Sequence, residues 1–174
     1  MQKRAALIAM DVTLHEARSD DLLVVKNLVP YYIYDMSEHM GWPCTREGRL
    51  DGCDGIERYW EDEGKHAFML RCGDEPAGFT MVRGDHNNDQ QIDYSIAEFF
   101  VVRKFRGDGV GERIARELFD RFRGRWLVEY LAKNKPAAAF WQKVIGRYCG
   151  GEFQQKTRWS EWGMMNVLVF ESRG

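Results

Sequence analysis

Apolar and polar positions change period along the chain, and each change marks an element. Val12 to Ala17 alternates and predicts a first strand. Leu22, Val25, Leu28 and Val29 then recur at helical spacing and predict a helix from Asp21 to Tyr34, with Asp20 as its cap. An aromatic, turn-rich stretch from Tyr31 to Pro43 follows, and a short helix is expected around Ile56 to Glu63. Ala67 to Cys72 and Ala77 to Arg83 predict antiparallel strands joined at Gly73-Asp74-Glu75-Pro76. Gly84 to Gln91 is polar and is expected to be flexible, and Ile92 to Val102 predicts a long strand.

The second half of the chain repeats the strand-then-helix order. Val110, Ile114, Leu118 and Phe122 recur every four residues, with Ala115 and Phe119 widening the stripe. Arg125 to Leu131 predicts a strand. Asn134 can cap a helix that tolerates Pro136 in its first turn and buries Ala137, Phe140, Trp141, Val144 and Ile145. Glu152 to Phe170 predicts two more strands, the last from Met165 to Phe170. The order is strand, helices, three strands, helix, strand, helix, strands. It predicts an α/β domain over residues 1–174 with one mixed sheet and helices on both faces. There is no internal repeat, low-complexity tract or linker.

The chemistry concentrates where the long strand meets the amphipathic helix. Phe99-Phe100-Val101-Val102 runs into Arg103-Lys104-Phe105-Arg106, then into glycines at 107, 109 and 111. A helix start offers free N–H groups and the positive end of a dipole, and glycines admit a ligand close to the backbone, so this turn suits a phosphate. A ligand-free glycine turn would have the same composition. A Walker loop is excluded, because Gly111 is followed by Glu112 and Arg113. The dinucleotide fingerprint is excluded because the third glycine comes one residue early.

What remains is R-x-x-G-x-G at Arg106, Gly109 and Gly111, followed by N-x-x-A-x-x-F-W at Asn134, Ala137, Phe140 and Trp141. These two segments resemble the coenzyme-A loop and the following helix of the GNAT (GCN5-related N-acetyltransferase) superfamily. The resemblance implies a mostly antiparallel sheet whose two central parallel strands, here ending near Val102 and Leu131, splay apart to admit acetyl-CoA. It implies that the backbone of Arg106, Gly107, Asp108, Gly109, Val110 and Gly111 holds the pyrophosphate. Asn134, Ala137 and Trp141 would flank the pantetheine arm beside Val102, and an N–H of Phe100 or Val101 would meet the thioester oxygen. The specific motifs lie between Glu98 and Trp141, and the first sixty residues match only in layout. Many relatives carry Tyr at the position of Trp141 as the proposed acid for the leaving thiolate. Trp has no acidic hydroxyl. Either another group such as Tyr148 serves, or the thiolate, with a thiol pKa near ~8.5, leaves unaided.

Acetyl transfer to an amine needs a base, because free amines have pKa values near ~10. Two carboxylates compete. Glu98 sits in the apolar run Ser95 to Phe100, where a carboxyl pKa rises. Glu129 stands five residues before Asn134, the offset of the catalytic Glu in a family member that acetylates a ribosomal protein's N-terminus. Each is alternatively a strand-edge Glu paired with an Arg. For the acceptor, Tyr31, Tyr34, Asp35 and Trp42, with Tyr59 and Trp60, combine aromatic faces with an acid, which suits a cationic amine. Residues 44–75 carry nine acidic against five basic side chains. The expected activity is acetyl-CoA-dependent N-acetylation of a small primary amine in a ternary complex. The alternatives are a non-catalytic acyl-CoA sensor and an enzyme acting on protein N-termini or lysines.

Composition narrows the class. Net charge is −2, which argues against nucleic acid as the partner. No apolar run approaches the roughly 20 residues of a membrane span. The four cysteines lack C-x-x-C spacing, so reduced thiols in a cytoplasmic protein are expected, and no metal site. A monomer or homodimer is expected. Residues 1–10 are expected to fray, or translation to begin at Met10.

Overall fold

The computed structural model describes residues 11–50, 52–84 and 91–172, so the expectations for residues 1–10 and for most of the 84–91 segment lie outside the described residues. The chain runs β1 (Val12–Glu16), α1 (Asp21–Met40), α2 (Arg58–Glu61), β2 (Lys65–Cys72), β3 (Glu75–Gly84), β4 (Tyr94–Val101), α3 (Val110–Arg121), β5 (Arg125–Leu131), α4 (Lys135–Tyr148), β6 (Phe153–Ser160) and β7 (Gly163–Glu171). The strands form one seven-stranded sheet in the order β1-β2-β3-β4-β5-β7-β6. Every neighbouring pair is antiparallel except β4 and β5.

Strand alternation divides the apolar residues between two cores. Phe68 and Leu70 of β2 turn to one face, where Ile114 and Leu118 of α3 and Val144 and Ile145 of α4 cover them. Met69 of β2 and Phe79 and Met81 of β3 turn to the other, where Val25, Val29 and Ile33 of α1 lie. The stripe read from Val110 to Phe119 is the buried face of α3.

Two features of α1 differ from expectation. Asp20 makes no capping bond. The neighbouring Asp21 instead accepts the Arg18 N–H at 2.8 Å and pairs with Arg71, so the start of α1 is tied to β2. The helix also continues through the aromatic stretch to Met40, with Pro30 inside it. Pro30 lies on the exposed side, and the buried line from Val25 to Ile33 continues beneath it. Only Gly41, Trp42 and Pro43 of that stretch lie beyond the helix.

Candidate active site

The parallel pair β4–β5 is short. Tyr94, Ser95 and Ile96 pair with Trp126, Leu127 and Val128, and the pairing ends there. Beyond it the strands part, and a cleft of about 720 Å³ opens between Ala97–Val101 and Glu129–Leu131. The expected splay is therefore present. On the other edge of β4, Met81 pairs with Glu98 while Val82 pairs with Ile96, so Ala97 is an extra, bulged residue.

Hydrogen bonds on the β3 side reveal which amides face the gap. Val102 N–H donates to the Ala77 carbonyl at 2.9 Å. The Thr80 hydroxyl donates to the Glu98 carbonyl at 2.9 Å. The Phe100 carbonyl lies so close to Gly78 that a Cβ there would sit 2.1 Å from its oxygen. Residues 98, 100 and 102 thus direct their backbone to β3, and alternation turns the N–H groups of Phe99 and Val101 into the gap. Of the two expected donors, Val101 turns its N–H into the gap, whereas the N–H of Phe100 faces β3 although its ring lines the cleft. Phe99 was not foreseen; counting back in twos from the end of the strand would have found it.

The loop that follows is built to present backbone. Gly107, Asp108 and Gly109 all have positive φ, at 97°, 47° and 75°. No atom lies within 4 Å of a Cβ placed at Gly107 or Gly109, so the surface over these two residues is open. The Val110 N–H closes the turn onto the Gly107 carbonyl at 3.1 Å, and α3 begins there. Its first turn has unpaired N–H groups by construction. Gly111 serves differently, since a Cβ would meet the Phe140 ring at 3.0 Å; it lets α3 approach α4. Asn134 caps α4 by accepting the Ala137 N–H at 3.0 Å. Trp141 is buried, edge-on to Phe99 at 5.1 Å, and it lines the cleft together with Val101, Asn134 and Ala137.

Arg106 does not reach toward the loop amides. Its Nε donates to the Val101 carbonyl at 2.7 Å, and its other end pairs with Asp35. Arg103 joins the same carboxylate at 2.6 Å. Burial raises the Asp35 pKa, but hydrogen bonds from Arg106 and Arg103 and their charges outweigh it and hold it below the usual value. Asp35 lines the cleft, as expected, yet its charge is already spent on two guanidinium groups.

The two competing carboxylates separate clearly. Glu129 is held in a fork by Arg158, with Nε–Oε1 at 2.5 Å and Nη2–Oε2 at 2.6 Å. Glu98 faces the cleft on the α1 side and accepts a hydrogen bond from the Tyr32 hydroxyl. Burial raises its pKa, and the Tyr32 bond offsets part of that rise. Tyr32 is fixed by Phe79 and Phe100, at ring distances of 5.9 and 5.8 Å. Burial and the Glu98 charge hold the Tyr32 hydroxyl protonated well above its ordinary range. Cys53 also lines the cleft; burial first, then the charges of Glu98 and Asp54, push its thiol up to about 12. The role of Tyr32 was hidden in the sequence, where it was one aromatic among several.

Among the expected catalytic and acceptor residues three are not brought to the cleft, and of the expected cofactor residues Val102 is also off its lining, with its N–H turned to β3. Tyr148 donates to Asp120 at 2.8 Å and packs on Phe119, on the far side of α4. It cannot serve as an acid for a thiolate between β4 and β5. Tyr31 and Tyr34 point outward from α1, with 66% and 64% of their surface exposed. Trp42 does line the cleft, and it meets Trp162 of the β6–β7 turn edge to face at 5.7 Å. Trp60 donates to the Arg18 carbonyl at 2.9 Å and Tyr59 lies under Lys65, so both serve the scaffold.

The acetyltransferase (GNAT) family model matches residues 33–146, which include the splayed strands, the glycine loop and the Asn134-capped helix. The chain belongs to the GNAT acetyltransferase family. The GNAT match stops before β6 and β7, which bring Arg158 to Glu129 and, at their turn, Trp162 to the cleft. A sequence search found no curated protein that matches the chain. Solved structures agree in fold. An acetyltransferase from Thermus thermophilus superposes with a TM-score of 0.65 at 18% identity, over 94% of this chain and 98% of that one. A spermidine N-acetyltransferase from Vibrio cholerae, in complex with CoA and spermine, gives 0.62 at 11%, over 92% and 95%. An aminoglycoside acetyltransferase in complex with coenzyme A gives 0.63 at 16%, over 92% and 95%. Among the described residues, no helix is long and apolar enough to cross a membrane.

Proposed function

We propose that this GNAT chain transfers the acetyl group of acetyl-CoA to the primary amine of a small molecule by direct attack in a ternary complex, with Glu98 as the base. One observation carries the assignment: Glu98 faces the gap on the α1 side while Arg158 occupies both oxygens of Glu129. The open left-handed loop at residues 107–109 and the start of α3 suit a diphosphate. Coenzyme-A-bound structural neighbours support the same reading.

The residues divide the work as follows. Glu98 takes a proton from the amine, directly or through water, and its raised pKa suits that task near neutrality. Tyr32 fixes the orientation of the carboxylate. The N–H groups of Phe99 and Val101 are directed at the carbonyl oxygen as it gains charge. The new bond joins the amine nitrogen to the carbonyl carbon as the carbon–sulfur bond breaks. Trp141 offers no acid, so the thiolate departs unaided and is protonated by solvent.

Calorimetry with acetyl-CoA, together with thiol release by Glu98→Gln, tests the reading. Cofactor binding should persist in the variant while turnover collapses. The sensor reading draws on Trp141 standing where many relatives carry the acid. Tight cofactor binding with no thiol release for any amine would favour it. Trp42 meeting Trp162 across the acceptor end favours a small molecule over a protein chain.

A further inference from the structure

We infer that the acceptor is a small primary amine with an apolar body and a single positive charge, seated against Trp42, Trp162 and the methionines beside them. This rests on the acetyltransferase reading and narrows its substrate.

The carboxylates of the cleft limit how much positive charge an acceptor can carry. Asp35, Glu38, Glu98 and Glu129 line it. Asp35 is neutralised by Arg103 and Arg106, and Glu129 by Arg158. Among the described residues Glu38 makes no ion pair of its own; it stands within the field of Arg103, which is bonded to Asp35. Four carboxylates thus face three guanidinium groups, which leaves one uncompensated negative charge in this set, and Glu98, at the reacting end, is paired with none of the three. A polyamine or an aminoglycoside presents several ammonium groups, and each needs an uncommitted acid or water where it lies. Among the described residues the cleft carries one uncompensated negative charge, and Glu98 stands where the reacting nitrogen must sit.

The walls beyond Glu98 carry an apolar patch, with Glu38 and His39 beside it. Met36 and Met40 on the last turns of α1 and Met165 at the start of β7 face the same space as the two tryptophans. Thioether side chains adapt to the shape of an apolar guest. Trp162 keeps 49% of its surface exposed although it is pinned edge-on to Trp42. A hydrophobic substituent would cover that surface, and the indole faces tolerate one ammonium group nearby.

The test uses the full chain, saturating acetyl-CoA and a free-thiol readout, with phenethylamine and isopentylamine set against spermidine and ribostamycin. At one pH, kcat/KM for phenethylamine should exceed that for spermidine by about tenfold or more, the scale of an apolar pocket's discrimination. Trp162→Ala should raise the KM for phenethylamine about tenfold and leave the KM for acetyl-CoA unchanged. Trp162→Phe should restore most of the loss. A preference for spermidine or ribostamycin, or an unchanged phenethylamine KM in Trp162→Ala, overturns the inference. So does silence toward both apolar amines while calorimetry still shows acetyl-CoA bound. Failure to bind acetyl-CoA at all would instead sink the acetyltransferase reading beneath it.

Discussion

Arg158 of β6 grips both carboxylate oxygens of Glu129 of β5, at 2.5 and 2.6 Å, across the intervening strand β7. A base needs a lone pair free to accept a proton, and this fork leaves Glu129 poorly placed to offer one. Glu98, bonded to a hydroxyl instead of a guanidinium, keeps that capacity. The two glutamates therefore respond differently to removal of their charge. Glu98→Gln should lower kcat by at least about a hundredfold with little change in acetyl-CoA affinity. Glu129→Gln should keep most of the turnover and lose about 0.5 kcal/mol of stability, because the pair is partly exposed. Steady-state kinetics on both variants decide the matter; the reverse pattern would transfer the base to Glu129.

The raised pKa of Glu98 has a consequence for stability. Folded Glu98 keeps its proton to higher pH than the unfolded chain, whose Glu titrates near ~4.3. The folded state then binds more protons in the window above that value, so this group's contribution to stability falls as pH rises through it. Ionised Glu98 costs stability at neutral pH. Glu98→Gln should gain stability relative to the native chain at pH 7.5 and show a smaller gain at pH 4.5, as read by urea unfolding. The pH profile of kcat/KM should rise through the same folded pKa, since the ionised form is the base. A pH-independent stability difference would contradict both statements.

Asp35 behaves with the opposite sign. Its lowered pKa means that its contribution to stability is present above its unfolded value and is lost as pH falls through the folded one. It also joins α1 to the turn that leads into the glycine loop, through Arg103 and Arg106. Asp35→Asn frees two guanidinium groups at the mouth of the cleft. The KM for acetyl-CoA should change with the variant, while the pH of the Glu98-dependent inflection stays fixed. An unchanged cofactor KM would mean that the clamp is decorative.

Gly78 is the position most sensitive to a single added carbon. It has φ 154°, and a Cβ would lie 2.1 Å from the Phe100 carbonyl oxygen and 3.1 Å from Val101 Cα, both backbone atoms of β4. Gly78→Ala should cost about 3 kcal/mol or more, because β4 would have to shift bodily at the edge of the cleft. Gly109→Ala meets no atom, so it should cost only the left-handed strain of about 1 kcal/mol while weakening acetyl-CoA binding. Thermal denaturation and calorimetry on the pair separate scaffold from ligand surface.

Tyr148→Phe should leave kcat unchanged and lose about 1 kcal/mol with the Asp120 bond. A large drop in kcat would return Tyr148 to the chemistry.

Local pattern carried much of this protein. The apolar spacing from Val110 to Phe119 defines a helix face whatever packs on it, and the run of Gly107, Asp108 and Gly109 defines an open turn, because periodicity and φ preferences act within a few residues. The end of α1 was misjudged because the aromatic stretch after Tyr34 was read as turn-rich, whereas the helix runs on to a left-handed cap at Gly41. What the chain order could not reveal was which acids are free. Glu129 is bonded to an Arg 29 residues away, and Asp35 to one 71 residues away. Tyr32 meets Glu98 only because α1 packs on the sheet face that also holds Phe79 and Phe100. Electrostatic partnership is decided by distance in space, and only the folded sheet brings those groups together.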